Sequence, residues 1–171
     1  MKPEIPIEVD PETGIWSTDG LPMMYLPRHF MVNMQKGIEQ ALGIERYRAT
    51  VYASSELSAL QWCRAEARTH GLGPAETFRH YLRRMSQRGH GRLEVVALDE
   101  AAATADVVAR NSAFALGYGP DAGRRVCYVF EGSLAGGMAY LLEATGRTGQ
   151  PVCREVACMA EGFPECRFEV R

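Results

Sequence analysis

The chain has 171 residues, enough for one domain with a buried core, and its 46% hydrophobic and 23% charged residues match a soluble globular protein. A formal net charge of −2 provides no bulk attraction to nucleic acid or anionic membrane, and Arg83-Arg84 and Arg124-Arg125 are isolated pairs suited to a solvated surface. No stretch approaches the roughly 20 apolar residues of a membrane span, and the opening MKPEIPIEVD has acids and prolines where a secretion signal has an apolar core. A cytoplasmic setting is therefore expected, with neither nucleic acid nor membrane as partner. In that setting the five cysteines are reduced thiols, better suited to a metal than to disulfides.

In chain order, residues 1–12 are acidic and proline-rich and read as an extended arm. Gly14–Tyr25 has a Thr-Asp-Gly turn between short apolar arms, a hairpin pattern. Pro27 opens a helix in which Phe30, Met34, Ile38 and Ala41 recur at helical spacing up to Gly43. Ser54 or Ser55 is expected to cap the next helix, with Leu57, Leu60, Cys63 and Ala67 on one face and Gly71 as its stop. A third helix follows Gly73-Pro74, carries Phe78, Tyr81, Leu82 and Met85, and ends at Gly89-His90-Gly91. Arg92–Leu98 alternates as a strand does, and Asp106–Leu116 is expected in the same sheet, although its alanines also suit a helix. After a turn over Gly117–Gly123, Val126–Ala144 has helical spacing, broken at Gly146–Gly149. Helices first and strands later predict an α+β fold, an antiparallel sheet covered by helices. Residues 1–26 form an arm and short hairpin, and 27–171 the main body of a single globular domain.

The C-terminal run PVCREVACMAEGFPECRFEV carries the strongest chemical pattern. Alternating arms Val152–Ala157 and Cys166–Val170 flank a loop with Gly162 and Pro164, which predicts a β-hairpin bringing Cys158 and Cys166 together. Glu155 lies on one arm, where an isolated buried carboxylate is costly. Zinc takes thiolates and carboxylates in a tetrahedron. The hairpin thus offers three ligands, Glu155, Cys158 and Cys166, and a fourth comes from elsewhere. Cys153 is one candidate, being two residues from Glu155 on the same strand face.

This run, GQPVCREVACMAEGFPECRFEV, resembles the end of a 4-vinyl reductase (4VR) domain, a family related to the effector-sensing domains of aromatic-responsive bacterial activators. The upstream Cys127-Tyr128-Val129-Phe130-Glu131-Gly132, followed by Gly136 and Gly137, resembles the helix start that supplies the remaining thiol in the phenol-sensing members. The resemblance implies a structural zinc held by Cys127, Glu155, Cys158 and Cys166, with Cys127 the rival of Cys153. It also implies the α+β fold shared with TRAPP vesicle-tethering subunits, pairing through helices into a homodimer, and a small hydrophobic or methylated-amine-type ligand. That last expectation follows from free-standing bacterial members, which this chain is most similar to and which accompany catabolic enzymes for methylated amines. Over Arg28–Gly71 the likeness is weaker, and Ser54-Ser55 stands where the family has a glycine-rich helix start.

Candidate pocket residues are Trp62, His80, Arg110 and Phe114. Each has a plainer role as core or solvated surface, but an arginine among Val and Ala on a strand can grip a ligand carboxylate. No dinucleotide fingerprint, phosphate loop or nucleophile elbow occurs, so no catalytic residue is assigned. The expected function is a zinc-containing small-molecule-binding sensor or accessory domain. The alternatives are an enzyme acting on a small organic substrate, 4-vinyl-reductase-like, and a non-catalytic assembly module.

Overall fold

The computed structural model describes residues 5–171. Strands β1 (Glu8–Val9), β2 (Trp16–Thr18) and β3 (Leu21–Met23) form a small antiparallel sheet. Its tight turn is Asp19-Gly20, both at positive φ (53° and 76°), as a two-residue hairpin needs. Helices α1 (Arg28–Leu42), α2 (Ile44–His70) and α3 (Pro74–Gln87) follow, then strands β4 (Arg92–Asp99) and β5 (Thr104–Arg110), the short helix α4 (Ala113–Tyr118) and the apolar helix α5 (Tyr128–Ala144). The hairpin β6 (Cys153–Ala157) and β7 (Cys166–Val170) completes the fold. The main sheet is antiparallel, in the order β4-β5-β7-β6. This is the expected α+β arrangement. Among the described residues no helix is long and apolar enough to cross a membrane.

Alternation in the hairpin sets which side chains enter the core. Cys153, Glu155 and Ala157 of β6, and Cys166, Phe168 and Val170 of β7, are buried, while Arg154, Val156, Arg167 and Glu169 face out. The inner face meets α5, where Phe130 stands edge-on to Phe114 and Phe168 at ring separations of 5.5 and 5.9 Å.

Helix α5 is buried nearly throughout and lies very close to α2. A Cβ placed on Gly132 would stand 2.2 Å from the Tyr52 carbonyl oxygen, and one on Gly136 2.1 Å from that of Glu56. Two glycines one turn apart thus let two backbones touch along a stripe where any side chain would hold them apart. That close approach fixes the start of α5, where Cys127 is the residue before its first turn.

Three local expectations are corrected. Helix α2 begins at Ile44, directly after Gly43, ten residues before the serines expected to cap it. Ser54 and Ser58 instead turn their hydroxyls back to donate to the carbonyls of Thr50 (2.9 Å) and Ser54 (2.8 Å), a bond that serves inside a helix and caps nothing. The segment expected as one strand, 106–116, is divided: Asn111 turns to φ 55°, and Ser112 accepts from the Ala115 amide to cap α4. In α1 the expected apolar stripe faces outward, Phe30 and Met34 being 50% and 40% exposed. The buried side is Val32, Gln35 and Glu39, with Gln35 donating to the Val126 carbonyl (2.9 Å) and Glu39 accepting from Arg124.

Candidate metal centre and ligand cavity

Four side chains from four segments converge beneath the sheet. Cys127 comes from the start of α5, Glu155 from β6, Cys158 from the loop after it, and Cys166 from the first position of β7. All four are fully buried, and their ligand atoms lie within 4.8 Å of one another. Cys127 Sγ is 3.7 Å from Cys166 Sγ, which is 3.8 Å from Cys158 Sγ, and every cysteine of the chain is a free thiol. A tetrahedral zinc with sulfur at about 2.3 Å requires sulfur–sulfur edges of about 3.8 Å, so the spacing fits that ion. Glu155 adds a second mark: its Oε1 is buried with no hydrogen-bond partner among the described residues. The cluster can therefore hold a metal ion. Cys153 does not join it; that residue is buried elsewhere on the strand, its amide donating to the Tyr52 hydroxyl (3.0 Å).

The surroundings hold these groups in place. The Cys127 amide donates to Glu155 Oε2 (3.1 Å), and the Glu155 amide donates to Glu131 Oε1 (2.8 Å). Glu131 is gripped in turn by Arg48 through Nε (3.2 Å) and Nη2 (2.8 Å). The short turn Met159–Glu161 points amides at sulfur: Met159 N–H to Cys166 Sγ (3.3 Å) and Ala160 N–H to Cys158 Sγ (3.4 Å). Outer contacts of this kind orient metal ligands and temper thiolate charge. Burial, followed by the nearby Cys158, pushes the Glu155 carboxyl up to about 9, and burial also raises Cys127. Hydrogen bonds from Cys127 and then Cys166 pull the Cys158 thiol down. A cation at the centre would offset the repulsion among these acids.

The four residues expected to line a pocket do not share one. Trp62 and His80 lie together, rings 5.6 Å apart and 17° from parallel, and His80 Nε2 meets the buried Glu66 at 2.9 Å. Arg83 donates to His80 Nδ1 (2.8 Å), which leaves the His80 proton on Nε2, facing Glu66. Glu66, His70, His80 and Asp19 form a second group of potential ligand atoms, but Arg84 pairs with Asp19 at 2.9 Å and supplies its counter-charge. Arg110 stands on the solvent side of the sheet, paired with Glu94 (2.8 Å) and Glu165 (3.0 Å).

Phe114 lines a half-open cavity of about 290 Å³ bordered by the N-terminal hairpin, α1, the α3–β4 turn, α4 and Val129 of α5. Sequence reasoning missed two of its walls, Arg88 and His90, because nothing marks an arginine at a helix end or a histidine between glycines as interior. The cavity is wired to the cysteine cluster. Ser112, which caps the helix bearing Phe114, lies with its hydroxyl 3.2 Å from Cys127 Sγ.

Two solved structures share this backbone. The phenol-responsive sensory domain of the transcription activator PoxR, determined with phenol, superposes with a TM-score of 0.79 over 96% of this chain and 83% of its own, at 18% identity. Trafficking protein particle complex subunit 3 from Naegleria fowleri, covalently bound to palmitic acid, matches with a TM-score of 0.59 over 84% of this chain and 93% of its own, at 11% identity. Both are similar in fold. No curated protein matches the sequence. One family model does, over residues 1–96, more than half of the chain: the protein belongs to the DUF5943 family, a domain of unknown function.

Proposed function

We propose that this chain is a zinc-containing, small-molecule-binding domain of the 4VR type, acting as a sensor or accessory protein in a bacterial regulatory or catabolic system. The observation that carries the reading is the backbone likeness to a phenol-responsive sensory domain over 96% of the chain. The Cys127–Glu155–Cys158–Cys166 cluster supports the metal. Four protein ligands close a tetrahedron and leave no open position, so zinc would tie the β6–β7 hairpin to the start of α5 and activate no water. Ligand entering beside Phe114 would bear on α4 and, through Ser112, on Cys127. Pairing of two copies is supported by the outward apolar side of α1, Phe30 and Met34, an unpartnered face of the kind that marks an interface.

The test is metal analysis and native mass spectrometry of protein purified without chelator, followed by a thermal-shift screen over phenols, aromatic acids and methylated amines. About one zinc per chain is expected, with at least one compound raising Tm as its concentration rises. A zinc-free protein with a Cys158–Cys166 disulfide would remove the metal reading. A screen with no hit would remove the binding reading in favour of an assembly module.

A further inference from the structure

We propose that the outer edge of β4 and the α3 face beside it form a docking groove for an extended acidic peptide of a partner protein, which adds to the main sheet as a further strand. This goes beyond the small-molecule reading above and does not depend on it. β4 stands at the end of the sheet order and pairs only with β5. An edge strand leaves alternate backbone groups unpaired, and another chain can bond to them. Leu93 shows which groups these are. Its amide donates away from β5, to the Ser86 hydroxyl on α3 (2.9 Å). Residues two apart in an antiparallel ladder point the same way, so the Val95 amide and the carbonyls of Leu93 and Val95 also face out of the sheet. The opposite end of the sheet offers no such edge, because the Cys153 and Glu155 amides of β6 are taken by the Tyr52 hydroxyl (3.0 Å) and Glu131 Oε1 (2.8 Å).

The wall beside that edge is basic. An open groove of about 670 Å³ runs between α3 and β4, lined by Arg79 and Arg83 of α3, by Arg28 and Arg92, and by Leu93 and Val95 of the edge itself. Glu94 is the one acid among the lining residues, and Arg92 (2.6 Å) and Arg110 (2.8 Å) already hold it. On a chain whose net charge is −2, this is a local excess of cations against the overall sign. Arg79 is exposed and makes no hydrogen bond or ion pair among the described residues. Arg83, also exposed, spends Nη2 on His80 and keeps the rest of its guanidinium for the groove.

Backbone and charge together select the occupant. A strand laid along β4 turns every second side chain toward the helix side, about 7 Å apart. Arg79 and Arg83, one helical turn apart, stand at a similar spacing of about 6 Å. Acids at alternate positions of the peptide therefore match the two guanidiniums, while its backbone bonds to Leu93 and Val95. The regular edge is short, since the register shifts between Val95 and Ala97, and a short segment fills it. A second copy of this chain does not suit the place. Two-fold pairing of β4 with β4 would bring two basic α3 walls against one seam, like charge on like.

Fluorescence anisotropy on the full chain tests this with a labelled, end-capped peptide, Thr-Glu-Val-Glu-Val-Glu-Thr, beside its counterpart with Lys for every Glu. The acidic peptide is expected to bind saturably, about tenfold or more tighter than the basic one. N-methylation of one alternate set of its amides should abolish binding and methylation of the other set should be tolerated, the signature of a strand bonded along a single edge. Amide NMR shifts should fall on residues 92–96 and on α3. Arg79→Glu, at an exposed position, should leave Tm unchanged, weaken the acidic peptide about tenfold and strengthen the basic one. Arg92→Glu checks the same preference from the strand side of the groove. Equal binding of both peptides, indifference to methylation, or shifts elsewhere on the surface would overturn the groove. So would tighter binding of a single-stranded DNA octamer, which would mark a general polyanion site, and so would no saturable binding of the acidic peptide.

Discussion

Gly136→Ala probes the tightest of the glycine positions. The added methyl would arrive 2.1 Å from the carbonyl oxygen of Glu56 and 2.9 Å from the Ala59 methyl, against an ordinary separation of at least 3.4 Å. The first of these is backbone inside a long helix, so no side chain can swing away and α2 must shift by more than an ångström. Alanine gains about 1 kcal/mol over glycine in helix propensity, while overpacking that moves backbone costs about 3 kcal/mol or more. The net expectation is a loss of about 2 kcal/mol or more, which for a domain of this size lowers Tm by roughly 4–8 °C. Gly37→Ala is the control. That glycine sits exposed within α1, with nothing within 4 Å of its added Cβ, and the same substitution should raise stability by about 0.5–1 kcal/mol. Urea unfolding followed by circular dichroism reads both. If Gly136→Ala proves neutral or stabilising, the α2–α5 contact is not as close as described. Cys127 is then not positioned by that contact.

Other outcomes follow from the same residues. On the proposed zinc site, Cys158→Ser should abolish metal binding and lower Tm sharply, because a structural metal's binding energy is folding energy, whereas Cys153→Ser should leave the metal content by mass spectrometry unchanged. Arg48→Ala leaves the buried Glu131 without its cation and should cost about 2–4 kcal/mol in chemical denaturation. Arg48→Lys, with one contact in place of two, should fall between. Burial lowers the pKa of His90 below its ordinary 6.5, so the unfolded chain takes up that proton first and stability must fall as pH drops from about 6.5 toward the folded value. His90→Gln should flatten the fall in Tm between pH 7 and 5, and an unaltered slope would show that His90 is not shielded from protonation.

How far the sequence could be read depended on the range of the interactions involved. The C-terminal hairpin was legible because its alternation and its loop glycine are local, and the same pattern carried Glu155, Cys158 and Cys166. Cys127 against Cys153 was undecidable from the strand, since both are consistent with a nearby thiol. The geometry that separates them is the α2–α5 contact, which places the start of α5 beneath the sheet. Ser54 misled because a serine that bonds the preceding turn and a serine that caps look alike in a string of letters. The outward stripe of α1 misled for a related reason: Gln35 and Glu39 are buried by partners from elsewhere in the chain, Val126 and Arg124, that no periodicity reveals.

The strand order β4-β5-β7-β6 has a temporal side. The last of the described strands occupies an inner place, its two edges bonded to β5 and β6. Until residues 166–170 dock, β5 has an open edge and β6 has no neighbour in the sheet, so the two halves of the sheet are not hydrogen-bonded to each other. Cys166 travels on that same strand. A chain growing from the ribosome therefore carries Cys127, Glu155 and Cys158 as an unfinished trio, and the event that zips the sheet also brings in the final thiol. If the cluster holds zinc as proposed, metal capture and sheet closure become a single step, and chains deprived of the metal would expose two unsatisfied strand edges, the state most open to proteases and to pairing with one another.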